Sequence, residues 1–355
     1  MKAIVVTSPG KASLVTDRPK PSLRDDYLLV KTHSIALNPT DWKHAEITQS
    51  PGVLLGCDYA GTVEAVGSAV TKSFQVGDRV MGFVHGGNSV QPEDGAFAEY
   101  IAVKGDIQAK IPDGMSFEEA ATFGVGITSV GQGLYQTLGL PLPSHSGEAT
   151  KNKGSASSIL IYGGSTCTGV LGVQFAKLSG VESVIATASP HNFELVTGYG
   201  ATDVYDYGEG DDAADEIRDA TGDELKLCWD TISTAWTAEF CAKSLASSGG
   251  GKLATLHPVL PPRSNSVQVA STLAYTVFGE DWGMGEKRYP AKVEDFEFGK
   301  MWWALAEGLI AEGKVRPAVI KVGEGGLKGA LEGMQLLRDS KVSGYKLVYR
   351  VSETP

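Results

Sequence analysis

A glycine-rich turn between a short apolar run and a helical pattern is the segment of this chain with the clearest chemical meaning. The apolar run 159–162 stops at two glycines, and residues 170–178 then show the apolar spacing of a helix. A strand, tight turn and helix of this kind place a pyrophosphate on the amides of the helix N-terminus. Against the pattern G-x-G-x-x-G, Gly164 and Gly169 match, whereas Thr166 replaces the middle glycine. The turn predicts a dinucleotide site, and a plain strand-to-helix turn of an α/β domain is the alternative interpretation.

The side chains of this turn can replace the contacts that the missing glycine would allow. Ser165, Thr166 and Thr168 carry hydroxyls that can donate to phosphate oxygens, and Cys167 lies among them. We therefore predict that the phosphates of a dinucleotide contact Gly164 and these four residues.

The end of the next predicted strand, 184–188, indicates which dinucleotide is bound. An NAD site needs Asp or Glu there, about 20 residues past the glycine turn, to bind the ribose 2′-hydroxyl. This chain has instead Ser189, Pro190, His191 and Asn192. Ser189 followed by Pro190 also predicts a capped helix start, which suits an extra phosphate. We predict NADPH as the cofactor, with Tyr207 against its adenosine; a tyrosine at the edge of the core is the alternative interpretation of Tyr207.

Composition limits the class of protein and its partners. A chain of 355 residues suits two domains. Its net charge of −11 argues against nucleic acid and against an anionic membrane surface. The four cysteines form no C-x-x-C pair, and no apolar run reaches the length of a membrane span. We expect a soluble cytoplasmic protein with neither nucleic acid nor membrane as a partner.

The order of predicted elements divides the chain into two kinds of structure. The first third is rich in β-branched runs and glycine turns, and a capping box at Ser116 starts a helix. A second helix is predicted over 129–138 and a surface loop over 140–154. Strands alternate with helices from residue 158 onward, which predicts a doubly wound parallel sheet. Its strands are predicted at 159–163, 184–188, 203–206, 225–229, 252–256 and near 273–277.

This order, with a return to the first domain at the end, resembles the medium-chain dehydrogenase/reductase superfamily. The segments that carry the resemblance are 56–67, 76–80, 95–100 and 163–169. The resemblance implies an α/β fold in which a GroES-like β-barrel domain accompanies a Rossmann domain with a doubly wound parallel sheet. The GroES-like domain would contain 1–125 and 295–355, and the Rossmann domain 126–294.

Departures from the zinc-dependent members indicate the branch of the superfamily. Those members have a catalytic cysteine after the second strand and His-Glu where this chain has Cys57 and Asp58. Here the first position has Asn38, and the lobe with four structural cysteines is absent. Zinc needs three or four convergent ligands, of which Cys57 and Asp58 could supply two. We predict no metal and interpret Cys57 and Asp58 as buried packing residues. The segment 35–43 resembles the zinc-free quinone-oxidoreductase and enoyl-reductase branch, which reduces activated C=C bonds.

A narrower likeness is to the fungal trans-acting enoyl reductases that serve polyketide synthases. It is carried by 162–166, 189–193, 277–280 and 342–348. It implies NADPH-dependent reduction of an α,β-unsaturated thioester on the carrier protein of a polyketide synthase, by a monomer. Two alternatives remain: a quinone or alkenal reductase for small diffusible enones, and a non-catalytic NADPH-binding protein.

The chemistry and the resemblance together nominate site residues. Hydride addition to a conjugated C=C bond builds charge on the carbonyl oxygen, so the protein must offer that oxygen donors. We predict Lys43, Thr128 and Ser129 as catalytic, although Lys43 can be a solvated lysine, the two hydroxyls can cap a helix, and water can be the proton donor. The predicted substrate contacts are Gly124, Val125, Gly126, Ile127, Thr276, Val277, Phe278, Gly279 and Glu280. The further predicted cofactor contacts are Thr40, Asp41, Trp42, Lys43, Leu256, His257, Ser343 and Gly344.

Two expectations concern assembly and packing. Superfamily members often dimerise through the edge strand near 273–277, and we predict that the bulky, acidic segment 278–285 covers that edge and keeps the chain monomeric. Trp302 and Trp303 are interpreted as packing residues of a long helix.

Overall fold

The computed structural model describes residues 1–144, 156–263 and 266–355. They form two compact units, Met1–Thr128 with Tyr275–Pro355, and Ser129–Ala274. The sequence-based division assigned 275–294 to the Rossmann domain, whereas these residues lie in the first unit. They do so because Tyr275 stacks on His85 and Trp282 packs against the same ring. Most of the loop predicted over 140–154 lies outside the described residues.

Most of the strands belong to one large sheet in each unit, and β1 with β2 and β14 with β15 form two-stranded sheets. Their bounds in chain order are β1 Ala3–Ser8, β2 Lys11–Val15, β3 Tyr27–Ala36, β4 Asp58–Val66, β5 Arg79–Phe83, β6 Tyr100–Lys104, β7 Gln108–Lys110, β8 Ser158–Tyr162, β9 Ser183–Ala188, β10 Asp203–Asp206, β11 Leu227–Asp230, β12 Gly251–Thr255, β13 Val267–Ser271, β14 Trp282–Met284, β15 Lys287–Tyr289, β16 Ile320–Gly323 and β17 Lys346–Arg350. The first unit has a seven-stranded sheet in the order β16-β17-β3-β4-β5-β7, with β6 paired to β3. The second unit has a six-stranded sheet in the order β10-β9-β8-β11-β12-β13, and all its pairings are parallel.

Helices cover the ends and faces of these sheets. The α-helices are α1 Pro39–Ile47, α2 Phe117–Ala120, α3 Gly124–Val130, α4 Cys167–Leu178, α5 Phe193–Gly198, α6 Asp211–Ala220, α7 Ala235–Ser244, α8 Val293–Ala311 and α9 Gly326–Arg338. The capping box predicted at Ser116 is present, since the Ser116 hydroxyl accepts from the Glu119 amide at 3.1 Å. A π-helix, Gly131–Thr137, continues directly from α3, so the helix predicted over 129–138 begins five residues early.

Apolar cores lie within each unit. In the first unit, side chains of β1, β3, β4 and α9 form one buried cluster that includes Ile4, Leu28, Tyr59 and Leu327. In the second unit, Leu160, Ile217 and Leu253 pack between the parallel sheet and its helices. Both faces of β8 and β9 are covered, and the strands are therefore continuous apolar runs, as parallel strands usually are.

The last strand of the parallel sheet is not where the sequence predicted it. The sheet ends in β13, whereas 274–278 form a 3₁₀ helix, so the strand predicted near 273–277 is wrong. Four consecutive side chains, Tyr275 to Phe278, are buried there, and a strand that is half-covered would bury alternate ones. The apolar run was read as a strand because a short buried helix gives the same composition.

A search of the helices among the described residues finds none that combines the length and the apolar character needed to cross a membrane.

Candidate functional site

The glycine turn of the second unit is built by close backbone contacts. The Gly163 and Gly164 amides donate to Thr187, to its hydroxyl at 3.0 Å and to its carbonyl at 2.8 Å. A Cβ on Gly164 would lie 2.8 Å from the Ala186 Cβ, and one on Gly169 would lie 2.2 Å from the Gly163 carbonyl oxygen. Both motif glycines are needed because the turn crosses so close to β9 and to itself.

Thr166 has a different task from the one its position in the motif suggested. It is the N-cap of α4, and its hydroxyl accepts from the Gly169 amide at 2.8 Å. That hydroxyl also lies 3.1 Å from the Thr231 hydroxyl, which itself donates to the Tyr162 carbonyl at 2.8 Å. Since a hydroxyl has one hydrogen, the hydrogen of Thr166 points to Thr231, and Thr166 holds the turn through its cap. Ser165, Cys167 and Thr168 are half-buried at the same helix start.

The end of β9 places two hydroxyls side by side. Ser189 and Tyr207 are joined by a 2.7 Å hydrogen bond. The predicted helix start at Pro190 is present as a 3₁₀ helix, but the Ser189 side chain does not cap it. Pro190 and His191 are exposed and Asn192 is buried. The hydroxyls of Ser189 and Tyr207 thus form one polar pair at the carboxyl edge of the parallel sheet.

The loop after β11 contributes residues that the sequence analysis missed. Asp230 is fully buried and accepts from the Ile232 and Ser233 amides at 2.9 and 2.8 Å, which fixes the loop. The loop exposes Ile232, which is 40% accessible, and the first turn of α7 exposes Trp236, which is 51% accessible and whose ring lies 6.2 Å from that of Tyr162. An acidic residue at a strand end, followed by hydroxyl residues, was the available signal.

Leu256 and His257 follow β12 at the same edge. The Leu256 amide donates to the Ser233 hydroxyl at 2.7 Å. The His257 carbonyl accepts from the hydroxyls of Thr255 and Ser271 at 2.7 and 3.1 Å, and its side chain is exposed. These bonds join the loops that follow β11, β12 and β13.

In the first unit, α1 contains four consecutive predicted site residues, 40–43, and their side chains have different surroundings. Asp41 is buried, and its carboxylate accepts from the Asn38 amide at 2.6 Å. Burial raises the pKa of Asp41 to about 7. Trp42 instead lines a cavity of about 150 Å³ with Ala12, Met334 and Arg338. Asp41 and Trp42 were both predicted as cofactor contacts, and their side chains have different surroundings.

Thr40 lies in a directed chain of hydrogen bonds. The Thr40 hydroxyl is 2.6 Å from the Tyr275 hydroxyl and 3.4 Å from His44 Nε2. His44 Nδ1 lies 2.5 Å from the Gly86 carbonyl, which can only accept, so we assign the hydrogen to Nδ1. Nε2 is then an acceptor, and the chain runs from Tyr275 through Thr40 to His44. Burial lowers the pKa of His44 to about 4, so this histidine is neutral at pH 7.

Lys43 is half-buried, and partial burial lowers the pKa of its ammonium. Its Nζ lies 5.8 Å from the centre of the Trp42 ring. A lysine with reduced solvation is a stronger local hydrogen-bond donor than a fully solvated one.

The first turn of α3 is seated on a buried carboxylate. The Val125 amide donates to Asp58 Oδ1 at 2.6 Å, and Asp58 Oδ2 accepts from Asn38 Nδ2 at 2.8 Å and from Lys346 Nζ at 2.7 Å. A Cβ on Gly124 would lie 2.3 Å from the same Oδ1. Asp58 is more than the packing residue that the sequence predicted, because its carboxylate holds the segment predicted to contact substrate.

Trp302 and Trp303 do more than pack. Both are buried, and their indole N–H groups donate to the Ile127 carbonyl at 2.7 Å and to the Thr128 hydroxyl at 3.1 Å. They therefore fix the backbone next to Thr128, which is itself buried, as is Ser129.

The segment after β13 is anchored inside the first unit. Thr276, Val277 and Phe278 are buried, and Gly279 has a φ of +64°. The Glu280 carboxylate accepts from the Tyr27 hydroxyl at 2.8 Å and from Lys104 Nζ at 2.5 Å. These bonds give the Glu280 side chain an anchoring role, whereas the prediction gave it a substrate contact.

Ser343 and Gly344 lie between α9 and β17. Ser343 is exposed, and Gly344 has a φ of +75°, which favours glycine.

Within residues 1–144, 156–263 and 266–355, no three His, Cys, Asp or Glu side chains converge as metal ligands would. At the position where the zinc branch has His-Glu, the neighbour of Asp58 is the Lys346 ammonium.

Comparisons with known proteins agree with this architecture. Residues 24–113 match the family model "Alcohol dehydrogenase GroES-like domain", and residues 167–256 match "Zinc-binding dehydrogenase". Trans-enoyl reductase resD of Aspergillus sclerotiorum is 56% identical over 99% of this chain and 100% of its own length. Trans-enoyl reductase TOXD of Cochliobolus carbonum is 56% identical over 79% of this chain and 91% of its own. A mycobacterial protein solved in complex with NADPH is 25% identical, with a TM-score of 0.71 over 99% of both chains.

The expected fold is confirmed: a GroES-like domain accompanies a Rossmann-type parallel sheet. The fold and its relatives indicate a nicotinamide cofactor. The chain therefore belongs to the trans-enoyl reductases, oxidoreductases of the medium-chain dehydrogenase/reductase superfamily that reduce C=C bonds.

Proposed function

We propose that this chain reduces, with NADPH, an α,β-unsaturated thioester carried by the carrier protein of a polyketide synthase. The observation that supports this most is the 56% identity to a trans-enoyl reductase along 99% of the chain. An enzyme acting in trans needs a partner that presents the acyl chain, and a carrier-bound thioester meets that need.

The residues at the end of β9 and a solved relative support NADPH over NADH. The end of β9 offers the Ser189 and Tyr207 hydroxyls and the exposed His191, with no carboxylate before Glu194. A 2′-phosphate is an acceptor that hydroxyls can bind and that a carboxylate would repel. A related mycobacterial protein was solved with NADPH. We propose Ser189 and Tyr207 as the residues that read the 2′-phosphate.

The remaining cofactor contacts follow from the carboxyl edge of the parallel sheet. We propose that the pyrophosphate meets the amides at the start of α4 with Ser165, Cys167 and Thr168. Trp236 and Ile232, both well exposed, are proposed to hold the adenine ring, because an aromatic base gains most from apolar and stacking contacts.

In the first unit, Lys43 and Thr128 are proposed to act on the thioester. NADPH supplies the hydride that adds to the β-carbon of the conjugated chain. The carbonyl oxygen then gains negative charge, and a poorly solvated ammonium such as that of Lys43 stabilises it. A proton delivered to the α-carbon, for which water can be the donor, completes the reduction. The backbone of 124–127, fixed by Asp58, Trp302 and Trp303, is proposed to line the acyl chain.

The test compares substrates under one condition. NADPH oxidation is followed with an enoyl chain on a carrier protein, with the same chain as a free thioester, and with a small enone. We expect the carrier-bound chain to react fastest. Equal rates on all three would instead identify a reductase of small diffusible enones, and no turnover with any of them would identify a non-catalytic NADPH-binding protein.

A further inference from the structure

Lys346 is a charged residue in the interior of the first unit. It lies at the start of β17, its side chain is 3% exposed, and its Nζ is 2.6 Å from Asn38 Oδ1 and 2.7 Å from Asp58 Oδ2. The Asp58 side chain is 0% exposed. Burying two charges is unfavourable unless the geometry is good and their remaining hydrogen-bonding groups are satisfied. An ion pair that is only structural can often be replaced by apolar side chains. Whether this pair has a further role therefore depends on what else the Asp58 carboxylate contacts.

The second carboxylate oxygen of Asp58 is directed at α3. Oδ1 accepts from the Val125 amide at 2.6 Å. There is no room for a side chain beside it, since a Cβ on Gly124 would meet Oδ1 at 2.3 Å and the Gly82 carbonyl oxygen at 2.5 Å. The first turn of α3 therefore rests directly on a carboxylate whose other oxygen is held by Lys346.

The other end of the same segment is fixed independently. The Ile127 carbonyl and the Thr128 hydroxyl accept from the indoles of Trp302 and Trp303. Lys346, through Asp58, sets the start of the segment 124–128, and the two tryptophans set its end. A shift of the start would therefore change the direction of the segment that we propose to contact substrate.

We propose that Lys346 is a positioning residue of the reduction, which acts through Asp58 on the backbone at 124–128. The proposal rests on the proposed function for the identity of the substrate. A charge-assisted bond is shorter and stronger than a neutral one, so the ammonium fixes the carboxylate more firmly than an amide or hydroxyl would. Small displacements of groups near the reacting atoms have large effects on rate.

The kinetic test uses Lys346→Met, Asp58→Asn and the double variant, whose pair is neutral. Lys346→Met leaves a buried carboxylate without its cation, which costs stability. The double variant removes that carboxylate charge as well, and its kcat provides the test if the single variant does not fold. In Lys346→Met we expect kcat of the folded fraction with a crotonyl thioester to fall at least about tenfold. We expect the NADPH dissociation constant to change less than about twofold, because the phosphate and adenine contacts that we propose lie in the other unit. If Lys346 acts through Asp58, the factor by which Lys346→Met lowers kcat must be smaller in the Asp58→Asn background than in the wild type.

The matched control is Lys72→Met. Lys72 is a half-buried lysine of the same unit that bonds to the Gln108 carbonyl at 2.6 Å and to Glu307 at 2.5 Å. It makes no bond to α3 in the described structure. This variant should lose stability and keep kcat. A native kcat in Lys346→Met would overturn the proposal, and so would a loss of kcat that is the same in the wild-type and Asp58→Asn backgrounds.

A second measurement does not depend on the substrate. Hydrogen–deuterium exchange of the peptide 120–130 should be faster in Lys346→Met than in the wild type, and unchanged in Lys72→Met. Unchanged exchange in Lys346→Met overturns the positioning role whatever the substrate is. Failure of the wild-type protein to reduce any enoyl thioester refutes the proposed function alone, and the exchange rates then decide the role of Lys346.

Discussion

Ser189 ends β9 with a hydroxyl that is bonded to Tyr207 at 2.7 Å. Replacing it by aspartate would place a negative charge where we propose the 2′-phosphate. We expect Ser189→Asp to weaken NADPH binding by at least ~1.4 kcal/mol, which is tenfold, because two anions would then share one site. Titrating NADPH and NADH into the wild type and the variant by fluorescence checks this. Tighter binding of NADH than of NADPH by the wild type would contradict the cofactor assignment.

Asp41 makes stability depend on pH in a direction that can be worked out. Burial raises the pKa of Asp41 to about 7, above its value of 3.8 in an unfolded chain. The folded state therefore favours the protonated carboxyl, and the stability this gives is lost as the pH rises from about 4 to about 7. Asparagine has no titratable group, so Asp41→Asn removes this pH-dependent loss of stability. We expect the free energy of unfolding of the variant, relative to the wild type, to rise by roughly 2–3 kcal/mol between pH 5 and pH 8.

The measurement for Asp41 is a pair of urea titrations at the two pH values. Asp17→Asn, at an exposed position, is the control and should follow the wild type at both. A difference between Asp41→Asn and the wild type that does not change with pH would show that Asp41 is already ionised in the folded protein at pH 5.

Residues whose chemistry depends on near neighbours in the chain could be found from the sequence, and those with distant partners could not. The motif glycines were read correctly because their constraint comes from the turn itself and from the next strand. Lys346 gave no signal, because its partners Asn38 and Asp58 lie 308 and 288 residues away. The hydrogen bond between Ser189 and Tyr207, which are 18 residues apart, was not predicted because each residue was interpreted separately.

At the scale of elements, the N-cap of α4 allows a test of whether the phosphate-binding turn depends on the Thr166 hydroxyl. Thr166→Val keeps the shape of the side chain and removes the oxygen that accepts from the Gly169 amide. We expect a loss of about 1 kcal/mol in the free energy of unfolding, the usual value for a helix cap. NADPH binding should weaken too, because the amides at the helix start lose their fixed direction. Thr166→Ser restores the oxygen and should restore both properties. If Thr166→Val bound NADPH normally, the cap would have no part in the phosphate site.

The elements also explain the one wrong strand. Period and composition identified β8 to β12 because each is a buried parallel strand between helical patterns. The run at 273–277 has the same composition, but it is buried against aromatic side chains of the first unit. Its location could not be inferred without knowing which unit would receive it.

At the scale of the whole molecule, the monomer prediction needs a new reason. The prediction placed the edge strand near 273–277, whereas the edge strand is β13, so the residues of β13 decide whether the edge can pair. β13 has five residues, and Gln268, Ala270 and Ser271 are exposed. A short edge strand with exposed polar side chains is a poor template for pairing. We expect a monomer by sedimentation velocity at micromolar concentration; a concentration-independent dimer would contradict this.

The return of the chain to its first unit has a consequence for the order in which the protein is made. The second unit is one uninterrupted stretch, so it can fold as soon as it leaves the ribosome. The first unit cannot be completed then, because Lys346 follows Asn38 by 308 residues, and β3 pairs with β17. At about 5–20 residues per second, β3 and the Asp58 carboxylate wait roughly 15–60 s for their partners. During that interval the end of β3 that pairs with β17 stays unpaired, and an unpaired strand edge is a place where an incomplete chain can aggregate.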